Sequence, residues 1–306
     1  DLTWSVFFLN ADKAIYGRYS TGTYFRNGTL DSTLEGLAKA MEGALELHKK
    51  YPANKDALAG KTGAALKFGT PQAYPANQGK PAVLQQDKKG CMHCHEVYQA
   101  ERKEFRAAKQ PVPDKWLWSF PLTNDIGLTM NPKEKATVQA VAAGSLGDKS
   151  GFKSGDRILE MNTQPILSVA DVQWVLHTSA EPSQIKLEVE RSGKNTPLTV
   201  DLAAGGRRAG SFLQHSIWDM RPGMSCDELT PAERQQQGLA ADALALKVKP
   251  LPKWGPQNAK NAGILGGDLI LSVDGQAKRM SECDFLAFLM QKNFPGEKLY
   301  LGIFLA

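Results

Sequence analysis

The chain has 306 residues, 42% hydrophobic and 23% charged, with 28 glycines and 17 prolines. At roughly 150 residues per domain this allows about two domains, and the composition excludes a disordered or collagen-like chain. The formal net charge of +5 comes from basic residues scattered along the sequence, which argues against nucleic acid as a partner, and no apolar run approaches the ~18 residues of a membrane span.

The N-terminus, Asp1, leads almost directly into an apolar run, Trp4 to Leu9, as in a processed or truncated chain. Leu2 to Leu9 reads as a strand, Asn10-Ala11-Asp12-Lys13 as a turn, and Ala14 to Tyr19 as a second strand. Ser32-x-x-Glu35 has capping-box spacing ahead of a helix to about His48, with Pro52 beyond it. Leu34, Leu37, Met41 and Leu45 share one face of that helix with His48, so the spacing predicts a core-facing stripe carrying a packed or metal-ligating histidine. The order strand, tight turn, strand, helix resembles the C-terminal half of a thioredoxin-like domain. The resemblance is confined to residues 1–60 and lacks a C-x-x-C pair there, so it implies no thiol–disulfide activity. A lone hairpin and helix leaves an open edge. Either half of the domain was removed, or a second chain completes the sheet, or copies assemble as a homo-oligomer.

Four cysteines are too few for a disulfide framework, but two stand in Cys91-Met92-His93-Cys94-His95. C-x-x-C-H is the attachment signature of a c-type haem. Two thiols bond the porphyrin and the adjacent imidazole ligates iron, so Cys91 and Cys94 are the expected covalent anchors and His95 the proximal ligand. The chance expectation for this composition is on the order of 10⁻³. A redox pair opens a helix after a buried strand, whereas the polar run Gln85 to Gly90 precedes this one. A structural zinc needs further ligands at short spacing, and no second C-x-x-C or H-x-x-x-H exists. Glu96 to Lys109 is rich in helix formers and stops before Pro111. For the sixth ligand, His48, His215 and Met220 are the candidates. His93 is held between the cysteines, and His177 is explained by a helix C-terminus. An open iron is the alternative, which favours ligand or peroxide chemistry.

From Asn124 the pattern changes to short β runs with glycine turns. Asp125-Ile126-Gly127-Leu128 opens it, Ala136 to Val141 alternates, and Ser150-Gly151-Phe152-Lys153-Ser154-Gly155-Asp156-Arg157-Ile158 follows. Val169 to His177 then reads as a helix, and Ile185 to Leu202 as a closing hairpin around Ser192-Gly193. From Asn124 to about Leu202 the chain resembles the PDZ family, of the bacterial type attached to periplasmic proteases. The resemblance implies that a peptide C-terminus adds as a strand. Asp125, Ile126, Gly127 and Leu128 would form the carboxylate loop, and Val172 and Leu176 would line the groove. The same stretch recurs 112 residues later, Gly263 to Gln276 superposing on Gly151 to Gln164 without a gap. This predicts a second PDZ-like module from about Leu229, entered through the capping box Thr230-Pro231-Ala232-Glu233, with Gly238-Leu239-Ala240 as a weak loop and an unusual insertion at 250–256. Cys226 and Cys283, both in this module, are either paired or small buried residues.

The expected fold is therefore α+β multidomain: a thioredoxin-like C-terminal half (1–60), a small helical haem c segment (61–120), and two PDZ-like β-barrel modules (121–207 and 208–306). The expected function is an exported monohaem c-type cytochrome, placed in the periplasm or outside the cell, with haem c as its cofactor. It passes single electrons to a redox partner while the PDZ pair docks partners or assembles copies. An electron carrier is favoured over a catalytic oxidoreductase. The alternatives are a PDZ adaptor with a structural or sensory haem, and a haem peroxidase-like enzyme.

Overall fold

The computed structural model describes residues 5–20, 32–65, 67–70, 73–77, 94–209, 222–253 and 257–305. The chain divides into two compact units, one of residues 1–97 and 118–210, the other of residues 98–117 and 211–306.

In the first unit β1 (Ser5–Leu9) and β2 (Ile15–Ser20) form an antiparallel hairpin. Its turn is closed by Asn10 Oδ1 accepting the Ala14 N–H at 2.9 Å, with Lys13 in the left-handed region. The helix α1 (Leu34–Lys49) is capped by Thr33 and not by the expected Ser32. Thr33 Oγ1 accepts the Gly36 N–H at 3.0 Å and donates to the Pro132 carbonyl at 2.9 Å, so one hydroxyl both starts the helix and docks it.

The face that α1 buries is the reverse of the sequence expectation. Gly36, Ala40, Gly43 and Ala44 are buried, whereas Leu34, Met41 and Leu45 are 82%, 54% and 55% exposed. The reason is steric: a Cβ on Gly36 would lie 2.3 Å from the Pro132 carbonyl oxygen, and one on Gly43 would lie 2.8 Å from Leu167. The backbone of α1 approaches so closely that only small residues fit, and the larger stripe turns outward. The hairpin and α1 are therefore buried against residues 132–171 of the same unit, and among the described residues no wider sheet of their own exists.

The remainder of this unit carries β3 (Leu128–Met130) paired with β4 (Val138–Val141), and a four-stranded sheet in the order β6-β5-β7-β8, where β5 is Arg157–Met161, β6 Gln164–Pro165, β7 Ser183–Arg191 and β8 Lys194–Leu202. Alternation on β7 puts Ile185, Leu187 and Val189 into the core with Leu128, Val138, Ile158 and Val200. Ser192 and Gly193, both at positive φ, give the tight turn between β7 and β8. α2 (Cys94–Ala107) precedes these strands in the chain, and α3 (Val169–Thr178) lies between β6 and β7.

In the second unit the sheet order is β12-β11-β10-β9, with β9 Cys226–Glu228, β10 Leu246–Val248, β11 Leu269–Val273 and β12 Leu301–Phe304, and α4 spans Glu282–Lys292. The repeat has one physical job in both copies: Asp156 accepts the Lys153 N–H and Asp268 the Leu265 N–H, each at 2.8 Å, closing the turn that leads into β5 or β11. The second copy starts upstream of Leu229, because β9 pairs with β10 as β3 pairs with β4. The short helix Pro231–Gln236 has the Thr230–Glu233 capping box and stops at Gly238, so Gly238-Leu239 is a helix exit and not a binding loop. Residues 98–117 complete this unit: Arg106 donates to the carbonyls of Leu289 and Asn293 at the end of α4, both at 2.9 Å. Cys226 and Cys283 are not joined in a disulfide.

Candidate functional site

The peptide-sized feature of the first unit is the edge of β3. Asp125 Oδ2 accepts the Leu122 N–H at 2.8 Å and holds a 3₁₀ turn over Thr123–Ile126. Gly127 follows at φ 83°, where a Cβ would lie 2.2 Å from Ser145, so glycine is required on both counts. The Gly127 carbonyl accepts from the Ala142 N–H at 2.9 Å, and the Asn131 N–H donates to the Thr137 carbonyl at 2.8 Å. Antiparallel alternation then turns the backbone groups of Leu128 and Met130 away from β4. No described strand pairs with that outer edge.

Of the expected groove residues, Ile126, Leu128, Val172 and Leu176 all lie in one buried cluster. Val172 and Leu176 are 0% and 2% exposed, so they form floor and not rim. One step round α3 come Val169, Gln173 and His177, at i, i+4 and i+8. His177 stacks on Phe120 with ring centroids 4.3 Å apart, and its Nδ1 accepts the Phe120 N–H at 3.3 Å. That ring has a defined neighbour beyond the helix dipole inferred from sequence.

The back of α3 carries a cluster that sequence reading missed. Asp171 Oδ2 accepts the Leu167 N–H at 3.0 Å, while Oδ1 faces Lys61 Nζ at 2.9 Å and Arg18 at 3.4 Å. Arg18 also donates to the Lys61 carbonyl, and its guanidinium stacks 4.0 Å from the centre of the Trp174 ring. The Ser168 hydroxyl donates to the Arg18 carbonyl. Lys61 and Asp171 are 0% and 1% exposed. Burial lowers the pKa of Lys61, with Asp171 opposing that shift, and burial lowers that of Arg18 as well. The three charged residues come from β2, from the segment after α1, and from the first turn of α3. Separations of 43 and 110 residues leave no periodic signal.

The second copy is built differently at the equivalent edge. The Ser225 carbonyl accepts from the Lys249 N–H at 2.8 Å, as Gly127 does from Ala142, so the Cys226 N–H points outward. It donates to Glu282 Oε1 at 2.9 Å. The first turn of α4 thus occupies the β9 edge. An open cleft of about 840 Å³ elsewhere in this unit is lined by Asp227, Glu233, Lys247 and Lys249, but Lys249 already pairs with Asp227 at 2.7 Å and Glu233 with Thr230.

Comparison with known proteins places these features. Residues 124–202 match the sequence pattern of the PDZ domain family. The chain is 31% identical over 139 residues to a probable periplasmic serine endoprotease, DegP-like, of Pseudomonas putida, covering 42% of this chain and 27% of the relative. Its counterpart in Chlamydia trachomatis is 28% identical over 169 residues, 55% of this chain and 32% of the relative. The chain therefore spans about a third or less of the length of these curated relatives. Among solved structures, the HtrA3 PDZ domain bound to a phage-derived ligand, FGRWV, is 26% identical, covering 26% of this chain and 88% of that one, with a TM-score of 0.22.

This is a PDZ-containing exported protein. It is extracytoplasmic, as its periplasmic relatives are. No helix among the described residues is long and apolar enough to cross a membrane. The same relatives overturn the cytochrome reading: they are serine endoproteases, and similarity over 139 to 169 residues outweighs a five-residue pattern. The expected monohaem electron carrier, the haem peroxidase-like alternative, haem c and its iron conflict with this similarity, and a redox partner has no support in it.

The residues that carried that reading fall as follows. Cys91, Met92, His93, His215 and Met220 lie outside the described residues. Cys94 and His95 lie in the first turn of α2, with their side chains outside the description. His48 is on the exposed side of α1, its Nδ1 2.8 Å from the Tyr16 hydroxyl, which accounts for it without a ligand role. Among the described residues no cluster of three or more His, Cys, Asp or Glu side chains could hold a metal ion.

Proposed function

We propose that the chain is an extracytoplasmic docking protein whose first PDZ copy takes the C-terminal end of an extended peptide as an added strand on β3. The observation that carries this is the outer edge of β3, where Leu128 and Met130 present backbone groups to no described strand in the copy that matches the PDZ domain family. The peptide carboxylate would sit over the turn at Asp125, Ile126, Gly127 and Leu128. Val172 and Leu176 supply the apolar floor, and Val169 and His177 the rim that selects side chains. The second copy is read as a packing module, because Glu282 fills its edge. The hairpin and α1 keep the strand, turn, strand, helix order of a thioredoxin-like C-terminal half, and we read them as a brace for α3 through Asp171. The relatives act as endoproteases; what is carried over here is the handling of polypeptide ends, not cleavage.

The test is a library of labelled peptides with free hydrophobic C-termini, titrated against the full chain by fluorescence anisotropy. Amidating the C-terminus of the best binder should weaken it at least about tenfold, or ~1.4 kcal/mol. A library with no binder, or amidated peptides that bind as well as free acids, overturns the reading.

A further inference from the structure

We infer that the outward apolar stripe of α1 is a self-association surface, across which two copies of the chain pack their α1 helices antiparallel about a two-fold axis close to Met41. The inference is independent of peptide binding by the first PDZ copy.

Leu34, Met41 and Leu45 are more than half exposed and Leu37 is half-buried. Together with His48 they make a continuous stripe along a helix of 16 residues, about 24 Å long. The stripe cannot turn inward. Rotating α1 would bring Leu or Met side chains to the places where Gly36 meets the Pro132 carbonyl and Gly43 meets Leu167, and the Thr33 hydroxyl fixes the helix start to Pro132. The apolar surface is thus held towards water on a pinned element, the condition under which such patches mark an interface.

Two features select a second copy as the occupant. The spacing of the stripe is symmetric about Met41, with Leu37 and Leu45 four positions away and Leu34 and His48 seven, so that Leu34 of one copy meets His48 of the other. A two-fold axis at Met41 therefore lays the stripe onto itself, as an isologous interface requires. The charges agree with the antiparallel choice. Glu35 stands in the first turn and His48 and Lys49 in the last, so the acidic end of each helix lies beside the basic end of its partner, with the helix dipoles opposed. Parallel packing would set like ends together.

The test is sedimentation equilibrium of the full chain over a roughly hundredfold concentration range. The wild type should reach twice the chain mass. Met41→Glu puts two carboxylates at the axis and should raise the dissociation constant at least about a hundredfold, with a melting temperature unchanged at concentrations where both chains are monomeric, because the side chain is exposed in the single chain. Leu45→Lys should act likewise and guards against a fold defect in the first variant. Glu35→Lys and Lys49→Glu should each weaken the dimer by roughly threefold, and the double reversal should restore it. A chain that is monomeric at every concentration, a dimer indifferent to Met41→Glu and Leu45→Lys, or a double reversal as weak as the two singles multiplied each overturns the proposal.

Discussion

The PDZ-matching copy and the second copy of its turn motif begin their long helices with the same four-residue spacing, Ser168-x-x-Asp171 on α3 and Ser281-x-x-Asp284 on α4, yet use the aspartate for different purposes. Asp284 closes a local capping box, accepting from the Ser281 N–H at 3.2 Å and its hydroxyl at 2.7 Å. Asp171 instead receives Lys61 and Arg18, so a local cap has become the anchor of a distant chain segment. The strand edges differ in the opposite sense: no described strand pairs with the outer side of β3 in the copy whose helix is clamped from behind, and Glu282 bonds the outward N–H of β9 in the copy whose helix caps itself. Divergence between the two copies of the turn motif thus lies in where a carboxylate points, on helix starts of the same spacing.

The largest effect that can break this comparison is loss of the anchor. Asp171→Ala leaves two buried cations without their anion and should cost about 3–5 kcal/mol. Asp284→Ala removes only a cap and should cost ~1 kcal/mol. Urea unfolding of both variants checks this; equal costs would mean that the buried cluster contributes no more than a helix cap.

Next comes the surface that the anchor holds in place. Gly36→Ala would drive a Cβ into the Pro132 backbone, which cannot move aside like a side chain, and should cost about 1–3 kcal/mol by overpacking. Ala38 on the exposed side of the same helix tolerates Ala38→Ser within ~0.5 kcal/mol. A melting curve distinguishes them.

These two sites also show where sequence was readable. The glycine-aspartate turns and the Ser192-Gly193 hairpin are local, since each turn is closed by a contact within three positions of itself. The face of α1 was misread because periodicity ranks Leu and Met above Gly and Ala as core residues, whereas the close approach of Pro132 and Leu167 selects for smallness. The Arg18–Lys61–Asp171 cluster joins three segments with no shared spacing, and a lone lysine in a turn-rich stretch carries no mark of burial. The turn at the β3 edge was legible through Gly127, whereas the depth of Val172 and Leu176, expected only to line the groove, is set by packing in the core cluster. The Cys91 to His95 pattern was the opposite error, a short motif given more weight than the long similarity around the PDZ copy.

A smaller effect sharpens the contrast between the edges. Glu282→Ala removes the acceptor of the Cys226 N–H and should cost ~1 kcal/mol. Amide exchange at Cys226 should then quicken by roughly fivefold and approach that of Leu128 in the first copy. Unchanged protection at Cys226 would mean that the strand edge is shielded by something other than the glutamate.

The smallest predicted effect tests the charge state of the anchor. Two cations face one carboxylate, so Lys61→Met still leaves Arg18 on Asp171 and should cost no more than about 1 kcal/mol near neutral pH. Burial holds the Lys61 pKa below its unfolded value. Between that lowered value and the ordinary lysine range near ~10.4 the unfolded chain binds more protons at this position than the folded one. The Lys61 contribution to stability therefore rises with pH across that window and is flat above it. Urea midpoints of wild type and Lys61→Met at pH 7 and at about pH 10 isolate it, because every other titrating group cancels in the difference. The wild type should gain on the variant at the higher pH. A wild type that loses ground instead would mean that attraction to Asp171 outweighs desolvation and holds the ammonium above its unfolded pKa, making the cluster a conventional ion pair.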